Sequence, residues 1–506
     1  MKRARGAPCF GFGLAVLTFF LAGNAWGLTD EEIFRDFRFN FLIPGARAQA
    51  LGGAFIAAAD DATAAEANPA ALHYISRYEV FLEYRGVRPE TQILTPSAGA
   101  FGSKDPASDE NYFDFTAVTN RDDTNFISFA SFAYPFKIGR RRATVAVSRH
   151  VVLNAQNSLT DGDQMTSLDV SLTDFPVVVV VDPDTGQPSV ERYSVRNTSE
   201  GTLDAEVVHY NASFSLSLSR DFSVGLTATA ATLDMKSFVE SETSDPLGIL
   251  TWTHPRVDVD GVLSDIRTRT MIDDSDSAFA YTLGLHWHPD SVFPSGFSPL
   301  KLGLVYRKGA KLGVEETLLN YNAETGEFED PVTFTNGLKV PDRWGIGGAY
   351  ELGRNWLFSL DLERIRYSDL LEDYVTGINF MTSGLIPDDL LPNIDNLVFD
   401  VDDANVIHAG VEYNIPTRGR WTYFVRGGYY NAPDNRIRLV GIDTGDPEID
   451  EIYLDLFRGG ETVNHYNLGF SFGTPIGLQL QFAADLSDVG NQVVVSGIYR
   501  FGGLRR

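Results

Sequence analysis

The feature that most restricts how this chain folds is a two-residue alternation sustained over unusually long runs. In Arg77–Arg85, Tyr78, Val80, Leu82 and Tyr84 share one side, opposite Glu79, Phe81, Glu83 and Arg85. In Ser277–His288 the apolar side carries Phe279, Tyr281, Leu283, Leu285 and Trp287. Leu478–Leu486 and Val493–Phe501 repeat the pattern. Successive side chains of a β-strand point to opposite faces, so each run reads as an amphipathic strand. Strands of soluble proteins average ~5–6 residues, whereas a tilted strand needs ~9–11 to cross a bilayer. Aromatics stand near the ends of the apolar faces (Tyr78, Tyr84, Trp287, Trp356, Trp421, Tyr429, Tyr499 and Phe501), as expected at two lipid–water interfaces. Beyond the N-terminus no run of about 18 apolar residues occurs, which excludes spanning helices.

Further candidate strands begin near Thr124, Arg142, Asp204, Phe222, Pro299, Val340, Asn355, Ala404, Arg420 and Val463. Together these make about 14, an even number, as in single-chain outer-membrane barrels. The connections alternate in length. Short turns fall at Lys137–Arg141, Arg220-Asp221, Pro289–Ser298, Glu351–Arg354, Ile415–Gly419 and Thr474–Pro475. Long segments fall at Gly86–Asp123, Asn154–Leu203, Glu240–Ser275, Val314–Leu338, Ser368–Asp403 and Asn431–Thr462. Long outer loops and short periplasmic turns produce this alternation in a barrel, and a soluble sandwich has no reason to. The expected fold is therefore all-β: a transmembrane antiparallel barrel over residues 77–506. The turns are basic and the long loops acidic, which suits a solvated surface. Divalent cations bridging the acidic loops to lipopolysaccharide would make that lipid a partner.

The chain opens with Lys2, Arg3 and Arg5, an apolar stretch from Phe10 to Ala22, and Ala25-Trp26-Gly27. This is the layout of a secretory signal peptide over residues 1–27. The only cysteine, Cys9, falls inside it, so no disulfide or thiol nucleophile is expected in the exported part. A net charge of −27 argues against nucleic acid, whose binding depends on neutralising phosphates.

Residues 28–76 precede the first strand, and Leu51–Tyr74, "LGGAFIAAADDATAAEANPAALHY", is too polar to span lipid and too rich in alanine for a strand. Such a segment suits a barrel interior, where irregular backbone finds polar partners. Small residues, Gly52 and Gly53 among them, allow close approach to the wall. Asp60, Asp61 and Asn68 can satisfy exposed amides, and Pro69 stops a helix before Ala70. The stretch reads as a lumenal plug.

"GARAQALGGAFIAAADDATAAEANPAAL" resembles the N-terminal hatch of the FadL/TodX family of outer-membrane transporters for long-chain fatty acids and other hydrophobic molecules. The family pattern has a Gly/Ala-rich lead-in, then Asp-Asp-Ala (here Asp60-Asp61-Ala62), then Asn-Pro-Ala (here Asn68-Pro69-Ala70) shortly before the first strand. The resemblance implies a 14-stranded barrel with hatch or gating residues Gly52, Gly53, Asp60, Asp61, Asn68 and Pro69. It also implies passive uptake of a hydrophobic small molecule or fatty acid by a monomer, and a lateral way out through the wall. The lead-in "IPGARAQALGGAF" is closer to the related PorV-like branch, and Glu66 and Ala67 replace the aromatics usual in the fatty-acid branch. The alternative function is thus a scaffold in secretion or surface attachment, with exported proteins as partners.

The polar strand faces carry Glu79, Glu83, Arg85, Arg307, Asp361, Glu363, His408, Glu412 and Arg426. They suit a hydrogen-bonded network between wall and plug. Alternatively, Arg307 or Arg426 neutralises a substrate carboxylate beside Phe81 or Phe424. Gly469-Phe470-Ser471-Phe472-Gly473 fits G-x-S-x-G, but the serine lies inside an alternating strand rather than a strand-to-helix elbow, so no enzyme is expected. His286 and His288 share a face without an apparent third ligand, and neither metal nor cofactor is expected.

Overall fold

The computed structural model describes residues 39, 41–89, 91–96, 115–120, 124–168, 180–181, 188–189, 193–244, 266–292, 298–322, 327–328, 330–372, 398–441, 454 and 459–502. The expected signal peptide lies outside them, as does most of 28–40 and much of each long loop. Among the described residues a ring of 14 antiparallel strands closes on itself. In chain order these are β1 (Tyr78–Pro89), β2 (Thr124–Ile138), β3 (Arg141–Leu168), β4 (Tyr193–Ser217) and β5 (Phe222–Ser244). Next come β6 (Ile266–Trp287), β7 (Leu300–Lys308), β8 (Arg343–Leu352), β9 (Trp356–Ile365) and β10 (Ala404–Ile415). The last are β11 (Thr422–Ala432), β12 (Val463–Gly473), β13 (Leu478–Ser487) and β14 (Gly490–Phe501). Each pairs with its neighbours in sequence, and β14 closes the ring on β1 from Tyr78↔Phe501 to Pro89↔Gly490. Closure leaves no sheet edge unpaired, which is what allows strands to sit in lipid.

The alternation sorts side chains as the pleat requires. On β1, Val80, Leu82 and Tyr84 are exposed outward while Glu79, Phe81, Glu83 and Arg85 are buried inward. On β6, Phe279, Leu283 and Leu285 are exposed, whereas Ala280, Thr282 and His286 are buried. Outward leucines, valines and isoleucines continue around the wall, for example Val147, Leu226, Leu304, Ile346, Leu360 and Leu468. Aromatics pair across strands at the end with short turns: Tyr78 with Tyr134, Phe222 with Trp287, and Trp356 with Tyr413. An apolar outer belt with interfacial aromatics on a closed ring is an integral outer-membrane barrel. No described helix is long and apolar enough to cross a membrane.

The strand starts differ from expectation where the wall rises above the lipid. β3 to β6 extend into Asn154–Leu203 and Glu240–Ser275, which had read as loops. Val314–Leu338 also contains strand: Lys311–Asn322 and Val332–Lys339 form a hairpin continuing β7. Above the membrane both faces meet water, so the apolar alternation fades while the backbone ladder continues. The turn from Ser487 to Gly490 is an exception to long connections at that end.

Within the ring lies the N-terminal segment. It contains a helix at Ala46–Ala50, a second at Ala64–Ala67 and a 3-10 turn at Pro69–Tyr74. Nearly every residue from Ile43 to His73 is buried, with Ala50, Leu51, Phe55, Ala62, Ala64 and Leu72 wholly enclosed.

Candidate functional site

The N-terminal segment has little secondary structure, so its amides and carbonyls need partners from elsewhere. The wall supplies them. Acidic side chains accept from its N–H groups: Glu83 from Gly45, Asp361 from Ile56 at 2.7 Å, and Glu79 from Ala62 at 3.0 Å. Donors meet its carbonyls: Ser215 and Ser223 both reach Ala70 O at 3.0 Å, Thr227 reaches Ala65 O at 3.1 Å, and Thr144 reaches Leu72 O at 2.9 Å. Arg307 donates to Glu66 O at 3.0 Å and Ala67 O at 2.7 Å, and pairs with Glu363 at 3.1 Å. The segment's own Arg47 bridges Asp60 at 2.5 Å and Glu412 at 2.8 Å.

Close approach depends on wall glycines that the strand pattern did not single out. A Cβ at Gly225 would stand 2.2 Å from Pro69 C, and one at Gly428 would stand 2.1 Å from Gly52 N. These glycines face one another across strands: Gly225 opposite Gly284, Gly303 opposite Gly347, Gly410 opposite Gly428. Their signal in the sequence was glycine at inward positions of strands, which is otherwise disfavoured and marks close backbone approach.

The named residues of the segment take distinct places. Gly52 (φ +64°) and Gly53 (φ +80°) adopt left-handed backbone against Tyr429 and His408, and Gly52 O lies 2.7 Å from His408 Nδ1. Asp61 accepts from Thr63 N at 3.0 Å and Thr63 Oγ1 at 2.5 Å. Asn68 accepts from Ala70 N at 3.1 Å and donates to Leu285 O at 3.1 Å, which ties the start of the 3-10 turn to β6. Pro69 opens that turn, where its missing N–H costs nothing.

The segment divides the lumen. On the side of the long connections lies an apolar layer that includes Val152, Leu153, Val207, Leu233, Met235, Leu312 and Tyr367, joined by Phe39. Phe41 packs against it, under Arg343 at 4.2 Å. On the side of the short turns lies a cavity of about 510 Å³ bordered by Arg47, Asp60, Glu79, Glu412, Arg426 and Arg500. Tyr74, His288 and Lys301 border it as well.

The four proposed ligand contacts separate on this geometry. Phe81 is 1% exposed and packs edge-on to Phe129 beneath the segment, so it lines no open space. Arg307 is occupied by Glu363 and the two segment carbonyls. Phe424 and Arg426 do border the cavity, with the guanidinium 5.2 Å from the ring centre. Arg426 is already paired with Glu412 at 2.6 Å.

His286 and His288 meet a third histidine that spacing alone could not place: His73 of the segment, 5.7 and 4.9 Å away between ring centres. Burial pushes the His73 imidazole down to about 3, and the neighbouring histidines act in the same direction. His73 is therefore a neutral packing partner of the other two rings at the segment's foot. Among the described residues no group of three or more His, Cys, Asp or Glu is arranged to hold a metal ion. Ser471 of the G-x-S-x-G match lies inside β12, wholly buried, accepting from Arg426 Nη1 at 2.9 Å.

No protein-family model matches the sequence, and no curated protein matches it. Solved structures do. A FadL homologue of Pseudomonas aeruginosa superposes with a TM-score of 0.53 at 11% identity, over 89% of this chain and 96% of that one. The CymD monoaromatic hydrocarbon channel gives 0.50 at 15% identity, over 93% and 100%. The toluene transporter TodX of Pseudomonas putida gives 0.50 at 12% identity, over 91% and 99%. Over nearly its whole length, this chain has the fold of these outer-membrane barrels.

Proposed function

We propose that this chain is a passive outer-membrane channel for hydrophobic compounds, long-chain fatty acids among them, with residues 28–76 as its hatch and the described part of that segment as its plug. One observation carries the reading: the barrel interior beyond the segment holds a buried, mostly aliphatic cluster where a diffusion pore for polar solutes would be wet and charged. A hydrophobic solute gains ~25 cal/mol for each Å² of apolar surface it removes from water, so that layer collects it without an energy source. Beneath the plug the surroundings become polar, and release follows when the plug shifts. A ligand with a carboxylate would there meet Arg426 and Arg47 and compete with Glu412 for them. The similar structures, described as a toluene transporter and a monoaromatic hydrocarbon channel, support the general class.

The test is uptake by cells lacking their own hydrophobic-compound channels, supplied with radiolabelled toluene or oleate. Expression of the chain should accelerate uptake of both, and Met235→Arg in the apolar layer should abolish the gain while the barrel still assembles. Arg426→Gln should slow oleate but not toluene. Uptake no faster than in empty cells, with assembled protein in the outer membrane, refutes the proposal.

A further inference from the structure

At the upper ends of β7, β8 and β9 cations gather on the lipid-facing side of the wall. On these strands Leu304, Ile346 and Leu362 point outward in the apolar belt. One strand repeat higher, the same face carries Tyr306, Trp344 and Arg364, each opposite the next across the ladder. A further repeat brings Lys308, at the end of β7, and Arg366, just past β9. The side chains of Lys308, Arg364 and Arg366 are 39%, 36% and 53% exposed. Their height follows from the strand. Trp356 stands at the short-turn end of β9, against Tyr413. From there to Arg366 the chain runs ~33 Å at ~3.3 Å per residue. At a tilt of ~35–45° it rises ~25 Å, which is the height of a barrel's apolar band. The cations are therefore level with the headgroups of the outer leaflet.

Their counter-charges are tucked behind them. Asp342 is buried, and its oxygens accept from Gly309 N at 3.0 Å, Lys308 Nζ at 2.7 Å and Tyr306 Oη at 3.2 Å. Asp369, also buried, accepts from Asp342 N at 3.0 Å and pairs with Arg366 at 3.2 Å. Arg366 lies 3.9 Å from the same Asp342 oxygen that Lys308 holds, so one anion can bridge the two cationic heads. Arg364 reaches Asp403 and Asn405, both at 3.1 Å. These contacts fix the cations without exhausting them, because a lysine has three donors and a guanidinium five. In a chain of net charge −27, such a face selects an anion.

We propose that Lys308, Arg364 and Arg366 form a docking site for the phosphates of lipopolysaccharide, whose acyl chains lie down the belt below Trp344. Guanidinium and phosphate make a strong charge-assisted pair. The site fits a lipid rather than a free phosphate, because an apolar outer face for the tails begins directly beneath the cations. Trp344 suits that boundary, where an indole meets water at one end and hydrocarbon at the other. The contact is direct and needs no bridging metal, unlike lipid held through the acidic loops. It depends on the barrel's place in the outer membrane and not on what the lumen carries.

The test titrates fluorescent lipopolysaccharide into the purified full-length barrel, in detergent containing EDTA. The wild type should bind. Lys308→Gln combined with Arg366→Gln should weaken binding ~25-fold, at ~fivefold for each cation removed beside an anionic lipid. Lys137→Gln combined with Arg140→Gln, in an exposed turn at the opposite end of the barrel, should bind like the wild type. Dephosphorylated lipopolysaccharide should bind the wild type no better than intact lipid binds the Lys308/Arg366 variant. Equal affinity of the two double variants overturns the site. Loss of wild-type binding in EDTA also overturns it, and assigns the lipid to bridging metal. Displacement of the lipid by an equal concentration of inorganic phosphate overturns the lipid assignment in favour of a free anion. Lys308 is a partner of buried Asp342, so if that variant does not assemble, Arg366→Gln alone decides, with an expected ~fivefold loss.

Discussion

Gly225→Ala puts the close fit between wall and N-terminal segment to a quantitative test. The added Cβ would lie 2.2 Å from Pro69 C and 2.3 Å from Ala70 N. Carbon atoms rest comfortably at ~3.5–4.0 Å, so wall and segment must part by more than ~1 Å. Overpacking of this kind costs ~1–3 kcal/mol. Parting also strains the bonds from Ser215 and Ser223 to Ala70 O, worth ~0.5–1.5 kcal/mol each. The docked state is then weakened by ~2–6 kcal/mol, which at ~1.4 kcal/mol per tenfold is at least a ~30-fold rise in the displaced population. The barrel itself should hold, because Gly225 pairs with Gly284 through the backbone. Gly348→Ala is the control, since its Cβ would meet nothing nearer than Leu302 Cδ2 at 3.5 Å. Planar-bilayer conductance reads the leak and thermal unfolding reads the wall. A Gly225→Ala barrel as tight to ions as Gly348→Ala would refute the argument that the segment fills the lumen by backbone contact.

Arg307→Gln removes a donor from two segment carbonyls and a partner from Glu363, and should raise leak conductance without lowering the barrel's melting temperature as far as a wall mutation does. Leu283→Arg places a charge on the lipid face and should destabilise reversible refolding into lipid by ~2–4 kcal/mol, whereas Thr282→Ser, facing inward, should change little. The pH dependence follows from His73. Its pKa falls from an ordinary ~6.5 to about 3 on burial, so it favours docking above pH ~6.5, and that stability is lost as pH falls toward about 3, at up to ~1.4 kcal/mol per unit. Leak should rise on acidification in the wild type, and His73→Gln should flatten the profile; an unchanged slope in that variant would remove His73 from the explanation.

The barrel was legible because lipid imposes its own rhythm on the chain. Each of the 14 strands begins near a candidate start, and the two largest offsets, Asp204 against Tyr193 and Ser277 against Ile266, fall where β4 and β6 stand above the membrane. The inward placement of Glu79, Glu83, Arg85, Asp361 and Glu363 was legible for the same reason. Their partners were not. Whether Arg307 faces a ligand or the Glu66 carbonyl depends on contacts hundreds of positions apart, which alternation on one strand does not encode. His73 shows the same limit: the pair at 286 and 288 was visible, and the third ring arrives from the segment.

The way the segment is held also bears on how it moves. Its alanines bury little apolar surface per residue, so the hydrophobic contribution rests on a few larger side chains, Leu51, Phe55, Ile56, Leu72 and Ile75. Between them the backbone is held by single hydrogen bonds from separate strands: Asp361 to Ile56, Glu79 to Ala62, Thr227 to Ala65, Ser215 to Ala70. Each is worth ~0.5–1.5 kcal/mol net, because water can replace it once it is reached. A barrel strand, by contrast, is tied along both edges by a continuous ladder with no water to take over in lipid. The two parts therefore differ in how they yield. Wetting of the polar cavity at Arg47, Glu412 and Arg426 can loosen the segment one bond at a time, starting from its foot, while the wall stays closed.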